Sequence, residues 1–307
     1  MPQMQPALLR LFVAVAESGS ISRVAIEHGK AQSYVSRQIS RFERECGAAL
    51  FHRTGRGVVL TELGEQILPR VRAWLVATDE LSNEIKSSSG VIVGTVRVGV
   101  LPSTAHPIAT TLFQRTRDLY PGIKLQIVEG GPQLDTWVNS GKIDIAVLFR
   151  YNDKLARNET ALATTDTYLV AKVGDPVTRK KTVEFTKLAG LPLALPQRQS
   201  DLRDTLEAIA RQKKINLSVV VEANSLSFQR GVVLEGLCHT LLGPFSFARD
   251  VQAGRLQAAQ IVQPRIRRIV TLVVTEHGPL TVACKTVIKL IEEIFAEVGD
   301  NWMPLIE

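Results

Sequence analysis

Cysteine is scarce and scattered: Cys46, Cys238 and Cys284 form an odd set with no pair at metal-ligand spacing. That argues against a disulfide framework and a thiolate metal site, and it points to a reducing compartment. The three read as small buried hydrophobes, with a redox-sensing Cys238 as the alternative. Long apolar runs are also missing. No run of apolar residues is long enough to cross a bilayer without a charge, so no membrane partner is expected. Ala14-Val15-Ala16 resembles a signal-peptidase site, but Arg10 interrupts the run before it and no basic leader precedes it, so an amphipathic helix accounts for the segment. The chain lacks a Gly-rich phosphate loop, its five histidines are scattered, and no nucleophile, base and orienting residue stand at a recognisable spacing. An enzyme stays open only through a site assembled in space.

What is present is uneven charge and clear periodicity. Residues 1–60 carry eight Lys or Arg against four Glu, more than half of the net surplus of +7 in a 307-residue chain. A local surplus of that kind suits a nucleic-acid footprint, although a solvated surface has the same charge. Leu8, Leu11, Phe12 and Val15 recur at helical spacing up to Ser18-Gly19, and Ser20 caps a second helix over residues 21–28. A third runs from Gln32 to Cys46 and closes at Gly47. It divides into two faces, with Val35, Ile39, Phe42 and Cys46 apolar and Ser33, Arg37, Arg41 and Arg44 opposite. Residues 49–53 and 57–60 flank Thr54-Gly55-Arg56 as a hairpin with a basic tip. Three helices and a hairpin predict a winged helix-turn-helix over residues 1–61.

Thr61 caps the next helix, in which Ile67, Val71, Trp74, Thr78, Leu81 and Ile85 alternate at spacings of four and three. This heptad seam predicts dimerisation through Ile67, Val71, Trp74, Leu81 and Ile85, the alternative being a helix lying on its own domain. Residues 62–90 form this linker and a hinge at Ser87-Ser88-Ser89-Gly90. Strands and helices then alternate, which predicts an α/β domain over residues 91–307. Crossings near residues 167 and 267 divide it into lobe I (91–164 and 267–307) and lobe II (165–266), with a cleft between them.

The full length resembles the LysR-type transcriptional regulators. The resemblance is carried by Ser18-Gly19-Ser20, Gln32-Ser33, Val35-Ser36-Arg37-Gln38-Ile39, Glu43, Gly47, Leu50-Phe51, Arg53, Leu60-Thr61 and Gly64. Downstream, Glu222-Ala223-Asn224-Ser225, residues 233–237 and Leu241-Leu242-Gly243-Pro244 are similar to that family's sensor pattern. Leu195-Pro196 before Arg203 resembles the subgroup of nitrogen-assimilation regulators. Departures cluster in the reading head. His28 and Lys30 stand where aliphatic residues usually pack, Val24 replaces Ala, Phe42 and Cys46 replace Leu, and Ala31 replaces a Ser or Thr cap at a cost of about 1 kcal/mol.

A recognition helix meets base edges with its first turns, so Gln32, Ser33, Tyr34, Ser36 and Arg37 are the base-contact candidates. Ser40, Arg41, Arg44, His52, Arg53 and Arg56 suit phosphates. Each Arg taken singly is better explained by a solvated surface; as a set on one face beside a basic wing they favour DNA. In the sensor half, Ser103 and Thr104 follow the first strand and open a helix, where they either hold an anionic group or cap the helix. The resemblance adds Gly130, Gly131, Phe149, Arg150, Gln197, Arg198 and Ser225 as effector contacts, and it implies tetramers built as pairs of dimers. The expected partners are double-stranded DNA bearing an interrupted inverted repeat, a small-molecule effector, further copies of the chain, and RNA polymerase. No cofactor or metal is expected, and the expected location is the bacterial cytoplasm at the nucleoid. The rival to a ligand-switched regulator is an architectural DNA-binding protein whose second half is ligand-free and only oligomerises.

Overall fold

The computed structural model describes residues 5–55, 57–86, 91–151, 155–198, 200–278 and 280–299. Arg56 and the expected hinge at residues 87–90 lie outside the described residues. The first unit contains α1 (Pro6–Ser18), α2 (Ile21–Glu27), α3 (Gln32–Cys46), β1 (Phe51–Thr54) and β2 (Gly57–Leu60). Pro6 opens α1, where its missing amide hydrogen costs nothing, and Gly19 ends it in the left-handed conformation. Ser20 accepts from the Arg23 amide as the cap of α2, whereas α3 starts at Ala31 without a side-chain cap. Phe12 is the centre of the core, edge-on to Phe42 at 5.4 Å and tilted against Phe51 at 5.5 Å. Leu9, Val15, Val24, Val35, Ile39 and Leu50 close around these rings.

The antiparallel hairpin pairs Phe51 with Leu60 and is fastened to the α1–α2 turn. The Val58 amide donates to Gly19 O at 2.9 Å. A Cβ at position 57 would lie 2.2 Å from that same carbonyl, so only glycine lets the two backbones meet. Two expectations about this unit change. Cys46, the last residue of α3, is exposed and does not extend the apolar stripe. His28 and Lys30 are also exposed, so neither displaces a core residue.

α4 (Glu62–Lys86) is capped by Thr61, whose hydroxyl accepts from the Gly64 amide and donates to Ala49 O. Its first half lies on the reading head: Ile67, Leu68 and Val71 pack partly against the core that contains Leu75. Further along, Trp74 is 39% exposed and Leu81 59%. The Ile85 side chain lies outside the described residues.

The second half begins with β3 (Gly94–Val100), α5 (Pro102–Thr104), a π turn over Ala105–Ala109 and α6 (Thr110–Leu119). Pro107 in that turn has no amide hydrogen, so a regular helical ladder cannot run through it. β4 (Ile123–Glu129), α7 (Gln133–Asn139), β5 (Ile145–Arg150) and β6 (Glu159–Asp166) follow. The chain then enters lobe II with β7 (Tyr168–Lys172), β8 (Thr182–Glu184), β9 (Leu193–Leu195), α8 (Asp201–Lys213), β10 (Val219–Glu222), α9 (Leu226–Leu234), β11 (His239–Leu242), α10 (Ala248–Gln252) and β12 (Leu256–Val262). It returns through β13 (Arg267–Val274) and ends with α11 (Val282–Gly299). The lobe I sheet has the order β4-β3-β5-β13-β6, and the lobe II sheet β10-β9-β11-β7-β12-β8. α6 and α11 cover the first sheet with Leu112, Val287, Ile291 and Phe295. Phe185, Leu188 and Leu206 fill one side of the second.

The crossings touch each other. The Thr167 amide donates to Ile266 O at 2.9 Å, the Ile261 amide donates to Thr167 O at 3.1 Å, and Arg265 holds both carboxylate oxygens of Asp166. In lobe II, the Asp250 carboxylate on α10 is buried between Arg230 and Arg255, accepting from Nε of each. Burial by itself would push this carboxyl up, but the hydrogen bonds from Arg255 and then Arg230 outweigh it, so it stays below the usual carboxylate range.

Two outcomes are expected. Phe12→Ala should cost about 3–5 kcal/mol in denaturant unfolding of the reading head; a loss under about 1 kcal/mol would remove Phe12 from the centre of the core. Because the folded Asp250 carboxyl titrates below its unfolded value of about 3.9, its stabilisation is complete above that pH and is lost as pH falls through the folded value. Asp250→Asn should therefore lower the melting temperature at neutral pH and make it less sensitive to acid below about pH 4 than wild type.

Candidate functional site

One surface of the reading head carries most of the residues singled out from the sequence. Gln32, Ser33, Tyr34 and Arg37 are exposed on the first turns of α3, Ser36 and Ser40 flank them half-buried, and Arg44 is exposed near the end of the helix. Among the described residues Arg37 makes no ion pair. Arg41 does, its Nε donating to Glu45 Oε1 at 2.8 Å, so part of its charge is already answered. His52 and Arg53 are exposed on β1, and Arg53 Nη2 reaches Ser36 Oγ at 3.4 Å, which brings the wing and α3 onto one face. Lys30 Nζ stands 6.0 Å from the Tyr34 ring, at the outer limit of a cation–π contact.

Glu43 fixes that geometry, a role that motif reading alone does not assign. Its Oε1 accepts from the Leu50 amide at 2.9 Å and the Phe51 amide at 3.1 Å, fastening the root of the wing to the back of α3. The signal in the sequence is an acid on the inner edge of a helix that carries Arg37, Arg41 and Arg44 on its outer face.

Between the lobes lies a cavity of about 610 Å³. Ser103, Gly130, Gly131, Phe149 and Arg150 line it from lobe I, and Gln197 and Arg198 from lobe II. Two expected contacts are elsewhere. Thr104 is buried with its hydroxyl turned back on Leu101 O at 3.1 Å, and Ser225 caps α9 by accepting from the Phe228 amide, so both serve as helix-end residues.

The expected cations differ from their sequence reading. Arg150 is committed to Asp135 and Glu159. Burial alone would lower its basicity, but the hydrogen bonds it donates to Asp135 and Glu159 raise it above the ordinary guanidinium value. Arg198 is exposed at the rim, 3.9 Å from Glu207. The cavity is also lined by Tyr151, Thr167, Gln229 and Arg268, none of which the sequence had marked. Arg268 is buried on β13, its Nε donating to Thr165 Oγ1 at 3.0 Å and its guanidinium 3.8 Å over the Phe149 ring. Burial lowers this guanidinium below its ordinary value, opposed by the Tyr151 phenol, which burial in turn raises. At the lobe II rim, burial raises the Asp201 carboxyl, with Arg150 opposing and Asp135 reinforcing.

Cys238 is buried beside this half's second core, and burial raises its thiol above the ordinary value, opposite to the shift that makes a thiolate reactive. Among the described residues no group of His, Cys, Asp and Glu suits a metal ion, and no helix is long and apolar enough to cross a membrane.

Comparison with known proteins agrees with this geometry. Residues 6–65 match the family described as bacterial regulatory helix-turn-helix protein, lysR family, and residues 89–296 match the LysR substrate binding domain. The chain is 30% identical to the HTH-type transcriptional regulator BbuR of Bordetella bronchiseptica, over 86% of this chain and 81% of that one. It is 26% identical to the nitrogen assimilation regulatory protein nac of Klebsiella aerogenes, with 89% of each covered. The fold resembles that of a full-length OxyR from Pseudomonas aeruginosa with a TM-score of 0.73 at 19% identity, covering 96% of this chain and 95% of that one. With a winged reading head on a long helix and a two-lobed α/β half behind it, the chain belongs to the LysR family of transcriptional regulators.

Proposed function

We propose that this LysR-type regulator reads an interrupted inverted repeat in double-stranded DNA as a dimer or pair of dimers, under the control of a small molecule held between its lobes. Its working parts are a reading head over residues 1–61, a linker over 62–90 and an effector domain over 91–307. The observation that carries the reading is the shared face of α3 and the wing, with Gln32, Tyr34 and Arg37 exposed beside Arg53. Gln32 and Arg37 suit adenine and guanine edges, and Tyr34 suits a thymine methyl. Arg44, His52 and Arg53 suit phosphates, which set register without reading sequence. Arg41 joins them when DNA competes with Glu45 for its guanidinium.

The exposed stretch of α4 at Trp74 and Leu81 supports self-association, since an isolated helix seldom presents such a seam to water. Ile67 and Val71 are largely occupied by the reading head's own core, so the second copy meets α4 mainly from Trp74 onward. A ligand that touches both lobes alters their angle at the paired crossings, and lobe I passes that change to α4 and to DNA bound by the partnered heads. Contact with RNA polymerase and a cytoplasmic, nucleoid location follow from this role. The cavity is read as a binding site, with Arg150 held in ion pairs and Gln229 hydrogen-bonded to Ala223 O and Thr240.

Binding-site selection tests the base contacts. Arg37→Ala should relax preference at one position of each half-site, at a cost of about 1–3 kcal/mol. Arg53→Ala should weaken binding to all sequences alike and reduce the salt slope by about one. An unchanged selected sequence for Arg37→Ala would sink that assignment. For the dimer, Trp74→Ala combined with Leu81→Asp should shift sedimentation toward the monomer and abolish cooperative binding to paired half-sites, with the fold retained by circular dichroism.

A further inference from the structure

We propose that the effector is a small monocarboxylate whose acid group is held by Arg268 and Thr167 at the point where the two lobes join. This rests on the reading of the inter-lobe cavity as the effector site, and it names the chemistry that site selects. Arg268 is only 6% exposed, and among the described residues no carboxylate pairs with it. Its Nη2 has no hydrogen-bond partner. Thr167, 1% exposed, lines the same cavity, and its Oγ1 also lacks a partner at hydrogen-bond distance. The neutral Tyr151 phenol stands close to both groups but brings neither of them a counter-charge. A buried cation without a counter-charge is costly and is ordinarily paired. A buried cation with a free Nη2, beside the Thr167 hydroxyl in the wall of one cavity, calls for an acceptor with two oxygens and a negative charge.

The other cations do not compete for that role. Arg150 is saturated by Asp135 and Glu159, and Arg198 stands at the exposed rim. Phe149 beneath the guanidinium fixes its plane and leaves an edge for a carboxylate. A phosphate would ask for more donors than this corner offers. Further out, the cavity is lined by Leu101, Leu202 and Leu226, which suit an apolar body, and by Asp201 and Glu129, which oppose a second negative charge.

The location gives the ligand its leverage. Arg268 belongs to β13 in lobe I, Thr167 sits in the crossing itself, and Gly243 approaches from lobe II. A Cβ at position 243 would lie 1.5 Å from Arg268 Nη2, so glycine is what allows lobe II to close over this guanidinium. An anion seated there touches both lobes at their pivot.

The test is calorimetric titration of the full-length protein with acetate, hexanoate, benzoate and phenylacetate, each beside its primary amide. At least one carboxylate should bind with one site per chain, and its amide at least about tenfold more weakly. Arg268→Gln should weaken the acid by at least about tenfold and leave the amide unchanged. Gly243→Ala, which pushes the guanidinium aside, should weaken it likewise, and Arg268→Lys should restore part of the affinity. The melting temperature of unliganded Arg268→Gln should equal or exceed that of wild type, because a lone buried charge has been removed. A lower melting temperature with acid affinity intact would make Arg268 structural and overturn the proposal. Amides that bind as tightly as acids and are indifferent to Arg268→Gln would also overturn it while leaving the effector reading standing. No binding by any acid or amide would overturn it too, and an operator footprint unmoved by cell-extract metabolites would then remove the effector reading separately.

Discussion

Arg72 joins the three parts of the molecule. It projects from α4, is 6% exposed, and donates to Glu17 Oε1 on α1 and to Ser140 O at the end of α7, each at 2.9 Å. Burial lowers this guanidinium below its ordinary value, and Glu17 is the group that opposes the shift. The charge therefore stays comfortable only while the reading head and lobe I both stay in place, since loss of either partner leaves a desolvated donor unanswered. Beside it, a Cβ on Gly278 would come within 3.1 Å of Ala73 Cβ, so lobe I lies tightly along the helix. These contacts make α4 a rigid member with a loaded joint.

The two buried guanidinium groups of Arg72 and Arg268 sit in opposite electrostatic situations. Arg72 has its counter-charge within the chain and holds parts together; Arg268 has none among the described residues and sits where the two lobes join. A protein that carries an uncompensated charge at a pivot gives up stability in the empty state for discrimination in the filled one. Coupling between them needs only lobe I, because Arg268 is on β13 inside the lobe I sheet and Ser140 ends the helix packed against β5 in that same lobe. On the proposed reading, an altered lobe angle would reach the head through a short run of packed elements with a buried ion pair at its end.

Legibility followed how local the forces were. α1 to α3 and the hairpin are marked by caps, left-handed glycines and a 3.6-residue apolar period, so their sequence reading and their structure differ by a residue or so. β6 and β12 carry a weak strand signal because Ala161, Ala163, Ala258 and Ala259 sit in their middles, and the sheet, more than local propensity, makes Glu159–Asp166 and Leu256–Val262 strands. α9 is also weakly marked, because Gly231, Val232 and Val233 dilute its helical signature. The heptad seam shows a deeper limit: periodicity reveals that a face is buried but not what buries it, and Ile67 lies against its own domain while Leu81 faces solvent.

The cavity was the least legible part, for a reason that Arg268 makes concrete. Arg265-Ile266-Arg267-Arg268 reads as a solvated basic run, yet position 268 shares a strand face with Val270 and Leu272, both buried. The opposite face, with Thr271 and Val273, is buried as well, so the apolar run by itself does not say which way the arginine turns. A charge at an inward strand position is either paired across the sheet or waiting for a ligand, and only the fold decides between them. Here the neighbouring strands offer Thr165 and the Phe149 ring, a hydroxyl and a π face but no acid. In this family member, then, the proposed DNA-reading surface is set by local grammar near the N-terminus, and the inter-lobe cavity by a long-range juxtaposition of β5, β6 and β13 that no single segment encodes.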